Sequence, residues 1–394
     1  MKHFETWLDT RLEKLAEDHL YRRPRTLSPS EHGCVKLDGK SCVNFGSNDY
    51  LNFASDERIR DAVSRSISFQ SWGAGASPLV TGRTTLHAEL ESRLAEFKQA
   101  EAALVFTSGF AANVGTISAL MGRNDTIFSD AKNHASIIDG CRLSGAKIII
   151  YPHRDTSELE ALLDRTPATG RKLIVTDTLF SMDGDIAPLD AICATAKAHD
   201  AMVMVDEAHA TGIFGAAGRG IAEHLECHDS IDVHVGTFSK AIGSIGGFVA
   251  GSQKLIDWLF NRARSYVFST SPPPAMCAAA IAALDLIHEE PFRRTELLGK
   301  AQQFREILKA NDWDVGDSES QIVPIILGRP DVTMQWSGLL AEHGFLVPGI
   351  RPPTVPDGES MLRVSLSYAH DDAMLDSFVQ TLNGLRSKHP FTQS

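Results

Sequence analysis

The chain has 394 residues, 43% of them hydrophobic and 22% charged, with a formal net charge of -12. That length exceeds one simple core and calls for two or three packed domains. The acidic balance, with no basic stripe, argues against nucleic-acid binding and against attraction to anionic membranes. Six cysteines are scattered without a CxxC pair, so they read as reduced, small apolar residues and not as a disulfide framework or a zinc site. The first twenty residues are charged throughout and hold no apolar signal core, so a cytoplasmic location is expected. The most apolar later stretch, Ala275 to Ile287, is short and interrupted by Asp285, so no membrane span is expected.

From the N-terminus, Phe4, Trp7, Leu8, Leu12, Leu15 and Leu20 fall near helical spacing and predict an amphipathic helix. Val35 to Leu37 and Cys42 to Phe45 alternate around Asp38-Gly39, which predicts a hairpin. One rhythm then repeats. Short apolar strands are predicted at Leu104–Phe106, Lys147–Tyr151, Lys172–Thr176, Ala201–Val205, Val233–Gly236 and Gly246–Ala250, with helical stretches such as Leu189–His199 between several of them. Strands apolar on both faces, alternating with helices, indicate an α/β fold with a mostly parallel sheet covered on both sides. Ligands in such folds sit beyond the carboxyl ends of the strands. After Pro272-Pro273-Pro274 a long helix is predicted to about Ala310, followed by strands at Ile322–Leu327, Gly344–Val347 and Met361–Ser367. The expected division is an N-terminal helix and hairpin segment, 1–46, a large domain, 47–288, and a smaller α+β C-terminal domain, 289–394.

Four features carry chemistry. Asp206 ends a buried strand, and His209 follows three positions later. Such an aspartate holds a pyridinium N–H well, but it serves equally as a helix cap or a metal ligand. Lys240 follows the fifth strand among glycines, where partial desolvation makes an amine nucleophilic; a lone lysine of this kind is more often a solvated surface residue. Ser108-Gly109-Phe110 joins a strand to a helix, a common turn whose backbone N–H groups suit phosphate. His134 opens another helix; its use is either structural hydrogen bonding or stacking on a flat heteroaromatic ring.

The order of these features, phosphate turn, histidine, Asp-x-x-His and then lysine, resembles the aspartate-aminotransferase-like fold (fold type I) of pyridoxal 5'-phosphate (PLP) enzymes, and within it the α-oxoamine synthase family. The resemblance runs from about Tyr21 to His370. Its markers are Asn44-Phe-Gly-Ser-Asn-Asp-Tyr-Leu51, Gly73-Ala-Gly-Ala-Ser77, Thr107-Ser-Gly-Phe-Ala-Ala-Asn113, Phe180-Ser-Met-Asp-Gly-Asp185, Val205-Asp-Glu-Ala-His-Ala-Thr-Gly212 and Thr237-Phe-Ser-Lys240. The resemblance implies that Lys240 is the Schiff-base lysine and Asp206 the partner of the pyridine nitrogen. It implies that His209 lies beside the cofactor phenolic oxygen and that His134 stacks on the ring. Gly109, Phe110 and Thr237 are implied to contact phosphate or cofactor, and Ser181 to lie near the cofactor face. Ser269 and Thr270 are implied to reach the phosphate of a neighbouring subunit, which makes a homodimer the expected assembly.

For substrates, the resemblance implies Arg363 as the grip on the amino-acid carboxylate, Asn48 as a lining residue, and Arg22 as the N-terminal arginine among Arg22, Arg23 and Arg25. Ile350-Arg-Pro-Pro-Thr-Val-Pro356, with Thr354, resembles the loop of the biotin-pathway member, which joins L-alanine to pimeloyl-CoA or a pimeloyl-acyl carrier protein. Sister enzymes that use glycine with short acyl-CoAs usually carry Tyr-Pro where this chain has Pro352-Pro353. The chain departs from the family at Asp177-Thr178, where relatives often have an acidic residue followed by glycine. The family also contains non-catalytic partner subunits, and a pure scaffold has no need of Lys240.

Overall fold

The computed structural model describes residues 2–30, 32–167 and 170–389. The chain forms two compact units, one of Asn48–Ser181 and Asp185–Glu296, the other of Met1–Ser47, Met182–Gly184 and Leu297–Ser394.

The first unit is built on a seven-stranded sheet in the order Ala102–Phe106, Gly247–Gly251, Val233–Thr237, Met202–Asp206, Lys172–Asp177, Thr126–Asp130, Lys147–Tyr151. All strands run parallel except Gly247–Gly251, which is antiparallel to both neighbours. Leu104, Phe106, Ile127, Val175, Met204, Val235 and Val249 pack into one apolar core with Ile117 and Ile137 from the covering helices. Each such side chain contributes roughly 1.5–3 kcal/mol by leaving water. The edge strand Lys147–Tyr151 is the exception, with Ile150 66% exposed. Thr126–Asp130 was not anticipated, because only Ile127 and Phe128 of its five residues are apolar. It is nevertheless buried along its whole length between two neighbours, so tertiary position and not composition makes it a strand.

Pairing register sets up the site. Asp177 lies opposite Asp206, and Asp206 opposite Val235, so two strands finish level at the carboxyl edge of the sheet and the third runs two residues further, to Thr237. Two helices begin there. Ser108 caps Gly109–Leu120 by accepting from the Ala111 N–H, and His134 caps Ala135–Ser144 by accepting from the Ser136 N–H. Gly247 has no Cβ to spare: one would lie 2.5 Å from the Gly109 nitrogen, so glycine there lets the helix start approach the sheet.

In the second unit, Leu27–Pro29, Cys34–Leu37 and Lys40–Asn44 form an antiparallel set that Phe345–Leu346 joins in parallel. The expected hairpin is present: Leu37 faces Lys40, and Asp38 and Gly39 both have positive φ, the geometry of a two-residue turn. Ile322–Gly328, Ser360–Ser365 and Gly349–Ile350 make a second antiparallel sheet. The helix Lys2–Glu17 exposes Phe4 and Trp7. The single helix expected to Ala310 is two, Pro274–Glu289 and Phe292–Ala310; Pro291, which lacks an N–H, lies at the break. This is the architecture that the resemblance implies, a fold type I domain with a mixed, mostly parallel sheet plus a smaller α+β unit. No helix among the described residues is long and apolar enough to cross a membrane.

One buried cluster ties the first unit together and titrates. His153 sits 2.9 Å from Asp130 Oδ1 and 2.9 Å from Asp185 Oδ2, with its ring edge against Phe180. Burial works against its charge, but the two carboxylates outweigh burial and raise its pKa from 6.5 to about 9. A raised folded-state pKa gives stability that is complete below the ordinary histidine value and lost as pH rises through about 9. The thermal midpoint of the wild type is therefore expected to exceed that of His153→Gln by a margin that narrows between about pH 6 and about pH 10. Melting curves of both proteins across that range check this; a margin independent of pH contradicts it.

Candidate active site

At the carboxyl edge of the large sheet a cavity of about 220 Å³ is lined by Ser108, Gly109, Phe110, His134, Ser136, Asp177, Asp206, Ala208, His209, Thr237, Ser239 and Lys240. Two larger clefts of the same unit, of about 620 and 600 Å³, hold neither this lysine nor these carboxylates. Chemistry and not size selects the smaller one.

Lys240 follows the strand Val233–Thr237, and its Nζ is 2.7 Å from Nε2 of His209. Nδ1 of His209 is 2.7 Å from the Tyr50 hydroxyl, which donates to Asn48 Oδ1 at 3.1 Å. Asp206 is buried; its Oδ1 accepts from the Ala208 N–H and its Oδ2 from Asn113 Nδ2 at 2.6 Å. The second hydrogen of that amide goes to Ser136 Oγ at 2.9 Å, and Ser136 Oγ lies 2.7 Å from His134 Nδ1. His134 Nδ1 also accepts from the Ser136 N–H. That leaves the ring proton of a neutral imidazole on Nε2. Burial lowers the His134 pKa; the Asp206 charge opposes this and the Lys240 charge adds to it. Asp206 is thus tied to His134 through Asn113 and Ser136.

Asp177 stands beside Asp206, and its Oδ2 accepts from the His134 N–H at 2.6 Å. Burial, then the Asp206 charge, push its carboxyl well above the usual range. Behind Asp206, the fully buried Lys98 pairs with Glu207. Burial alone would raise Glu207, but Lys98 and His234 hold it down at about 2. That pair ties the end of the helix Thr85–Lys98 to the residue after the strand Met202–Asp206.

Motif order thus brings Lys240, Asp206, His209, His134, Gly109, Phe110 and Thr237 together on one cavity. Asn48 reaches it through Tyr50. Ser181, Ser269 and Thr270 are not among its lining residues. Arg22, Thr354 and Arg363 belong to the other unit. There Arg22 Nη2 donates to Thr354 Oγ1 at 3.4 Å, and the buried Arg363 donates to Ser365 Oγ at 2.6 Å. Arg351 donates to the Tyr21 carbonyl, and Pro352-Pro353 is a cis peptide. Sequence reasoning gave no role to Tyr50, Asn113, Ser136 or Asp177, although the first three stand inside segments that it singled out and Asp177 in the pair noted as a departure.

The donor set fits PLP. The N–H groups of Gly109 and Phe110 open a helix at the cavity, with the hydroxyls of Thr237 and Ser239 near, as a phosphate requires. A carboxylate, an imidazole and a primary amine share the remaining wall, which suits a ring nitrogen, a flat ring and an aldehyde.

Comparison with known proteins agrees. Residues 40–382 match the family Aminotransferase class I and II. The chain is 48% identical over 373 residues to 8-amino-7-oxononanoate synthase of Geobacter sulfurreducens, covering 94% of this chain and 95% of that protein. It superimposes on serine palmitoyltransferase from S. paucimobilis, a form with bound PLP and myriocin, with a TM-score of 0.92 at 30% identity over 97% of each chain. It superimposes on 8-amino-7-oxononanoate synthase from Francisella tularensis with a TM-score of 0.77 at 27% identity, over 89% of this chain and 99% of that one.

Proposed function

Since the chain belongs to the aminotransferase class I and II family and, within it, to the α-oxoamine synthases, which are PLP-dependent acyltransferases, we propose that it joins L-alanine to a pimeloyl thioester. The products are 8-amino-7-oxononanoate, carbon dioxide and the free thiol, and the place of the reaction is biotin synthesis. The observation that carries the reading is one amine, Lys240, facing His209 in a cavity that also holds Asp206 and His134.

When bound, PLP supplies an electron-poor ring that stabilises negative charge at the α-carbon of the amino acid. The protein's residues divide the remaining work. Lys240 would supply the amine that holds the cofactor's aldehyde and, once free, the base that takes the α-proton. Asp206 would hold the ring nitrogen and keep it protonated by its charge, and Asn113 and the Ala208 N–H hold that carboxylate in one orientation. His134 would cover the ring, with Ser181 near it, and His209 would serve the phenolic oxygen. Gly109, Phe110 and Thr237 would take the phosphate, joined by Ser269 and Thr270 of a second copy. Arg363 pairs bidentately with the alanine carboxylate, a geometry lysine cannot supply. Asn48 would line the substrate site, and Arg22 and Thr354, which pair with each other, would contribute to substrate binding. The α-carbon replaces sulfur at the acyl carbonyl, the thiol leaves, carbon dioxide departs, and a proton returns to the same carbon.

The higher TM-score to serine palmitoyltransferase does not favour a serine or palmitoyl substrate. It compares backbones, whereas the 48% identity to an 8-amino-7-oxononanoate synthase compares the side chains that choose substrates. Ile350 to Pro356 supports the same choice, since two consecutive prolines restrict the backbone and remove two N–H donors beside an acyl chain. Each methylene buried there adds about 0.8 kcal/mol, so preference should rise with chain length without being absolute. Turnover of alanine and glycine against acetyl-, succinyl- and pimeloyl-CoA, and against pimeloyl-acyl carrier protein, tests the reading. Pimeloyl donors with alanine are expected to give the highest kcat/KM; a higher value for acetyl-CoA with glycine overturns the substrate pair.

A homodimer belongs to the same proposal. Phe69, Trp72, Leu79, Val80, Ile245 and Phe268 are each at least 59% exposed, and a second copy would take such side chains out of water. Light scattering is expected to give twice the chain mass, and a fully active monomer contradicts it.

A further inference from the structure

The mechanism above gives no task to Tyr50. Its side chain is fully buried, yet its hydroxyl is not spent on packing: it stands 2.7 Å from Nδ1 of His209 and donates to Asn48 Oδ1 at 3.1 Å. A phenol has one proton. With that proton given to Asn48, the oxygen can only accept from His209, so the imidazole proton sits on Nδ1. Nε2 then turns a lone pair toward Lys240 Nζ, 2.7 Å away.

We propose that Tyr50 is a positioning residue for Lys240: together with Asn48 it holds His209 as the Nδ1–H tautomer, so that Nε2 receives a proton from the lysine before PLP is captured. In that step an N–H bond of the Lys240 ammonium breaks and an N–H bond forms at His209 Nε2. The amine keeps the electron pair and becomes nucleophilic. The charge moves to the imidazolium, whose Nδ1–H remains bonded to the Tyr50 oxygen. The other titratable groups that line the cavity are Asp177, Asp206 and His134. The functional part rests on the reading of Lys240 as the cofactor-bearing lysine; the tautomer is a property of the protein alone.

Phenylalanine fills the space of Tyr50 without the hydroxyl, so packing and proton placement can be separated. The full-length protein, free of cofactor and labelled with 15N-histidine, is compared by NMR as wild type, Tyr50→Phe and Asn48→Leu. In the wild type, His209 is expected to carry its proton on Nδ1. In Tyr50→Phe the Nδ1–H form loses its acceptor and should yield to the Nε2–H form. In Asn48→Leu the hydroxyl, with no amide to serve, should turn and donate to Nδ1, which again moves the ring proton to Nε2. The rate of PLP capture by Tyr50→Phe should fall by up to about tenfold, the scale of one hydrogen bond. The melting temperature should be nearly kept. A wild-type His209 protonated on Nε2 overturns the proposal, as does an unchanged tautomer or an unchanged capture rate in Tyr50→Phe. Should Tyr50→Phe fail to fold, the Asn48→Leu spectrum decides alone. A protein that turns over no acyl thioester, but shows these tautomers and capture rates, would count against the function proposed above and not against this one.

Discussion

Replacing Lys240 with alanine is expected to lower turnover by about 10²- to 10⁴-fold or more, the usual scale of a lost general base. It should also end covalent capture of PLP. Lys240 is the lysine among the residues that line the cavity, and its Nζ faces His209 at 2.7 Å. Its side chain is only partly buried, so truncation removes chemistry and little packing. Asp206, Asn113, Ser136 and His134 hold one another through bonds that do not involve the lysine, so the cavity should keep its shape. Borohydride treatment of the loaded wild type should fix the cofactor's mass to the peptide that contains Lys240. The same treatment should leave the variant unlabelled, although PLP still finds the phosphate end of the cavity. An alanine variant that is labelled as fully as the wild type removes Lys240 from the assignment.

The sheet was legible where composition and position agree. Ala201 to Val205 is apolar in sequence, and Val203 to Val205 are buried in the structure, so a strand follows from either. Thr126–Asp130 was not legible: two apolar residues in five give no period, and its burial comes from neighbours distant in the chain. The antiparallel direction of Gly247–Gly251 also leaves no mark in the sequence, because strand direction follows from how the chain returns and not from the strand itself. For the site, single residues were legible and pairings were not. Lys240, Asp206 and His134 stand out by residue type at strand ends and helix starts, and their roles came from the order that they share with the family. Asn113 meets Asp206 across 93 positions, Asp177 meets His134 across 43, and Tyr50 meets His209 across 159. Each belongs to a network whose members sit on different strands and loops, and no local pattern encodes which two will meet. Asp177 stood out only as a departure from the family pattern at the residue after it, while its own carboxyl is the one in the cavity.

Asp206→Asn is expected to leave the fold intact and to slow removal of the alanine α-proton by roughly 10²- to 10³-fold, the scale of one lost electrostatic contact at a reacting centre. The two side chains have nearly the same shape, so the effect isolates charge. An asparagine at this place can still accept from the Ala208 N–H through its oxygen. Its new NH2 would face the Asn113 NH2, donor against donor. Relief is at hand, because Asn113 Oδ1 is buried without a hydrogen-bond partner among the described residues and can accept once that amide turns over. The turn takes a donor from Ser136, which in turn bonds His134, so a small shift of the imidazole should accompany the change. The substitution also removes a negative charge that now raises the Asp177 carboxyl, so Asp177 should ionise more readily in the variant. Its carboxylate already accepts from the His134 N–H and stands beside position 206, so a fraction of the lost charge is restored one strand away, where it cannot bond a ring nitrogen held at Asp206. Exchange of the alanine α-proton into deuterated water separates this step from acyl transfer and from release of product. If the loaded, folded variant exchanges that proton at close to the wild-type rate, Asp206 is a structural group and the ring nitrogen has another partner. If exchange is slow and Asp206→Asn, Asp177→Asn is slower still, Asp177 supplies the residual charge.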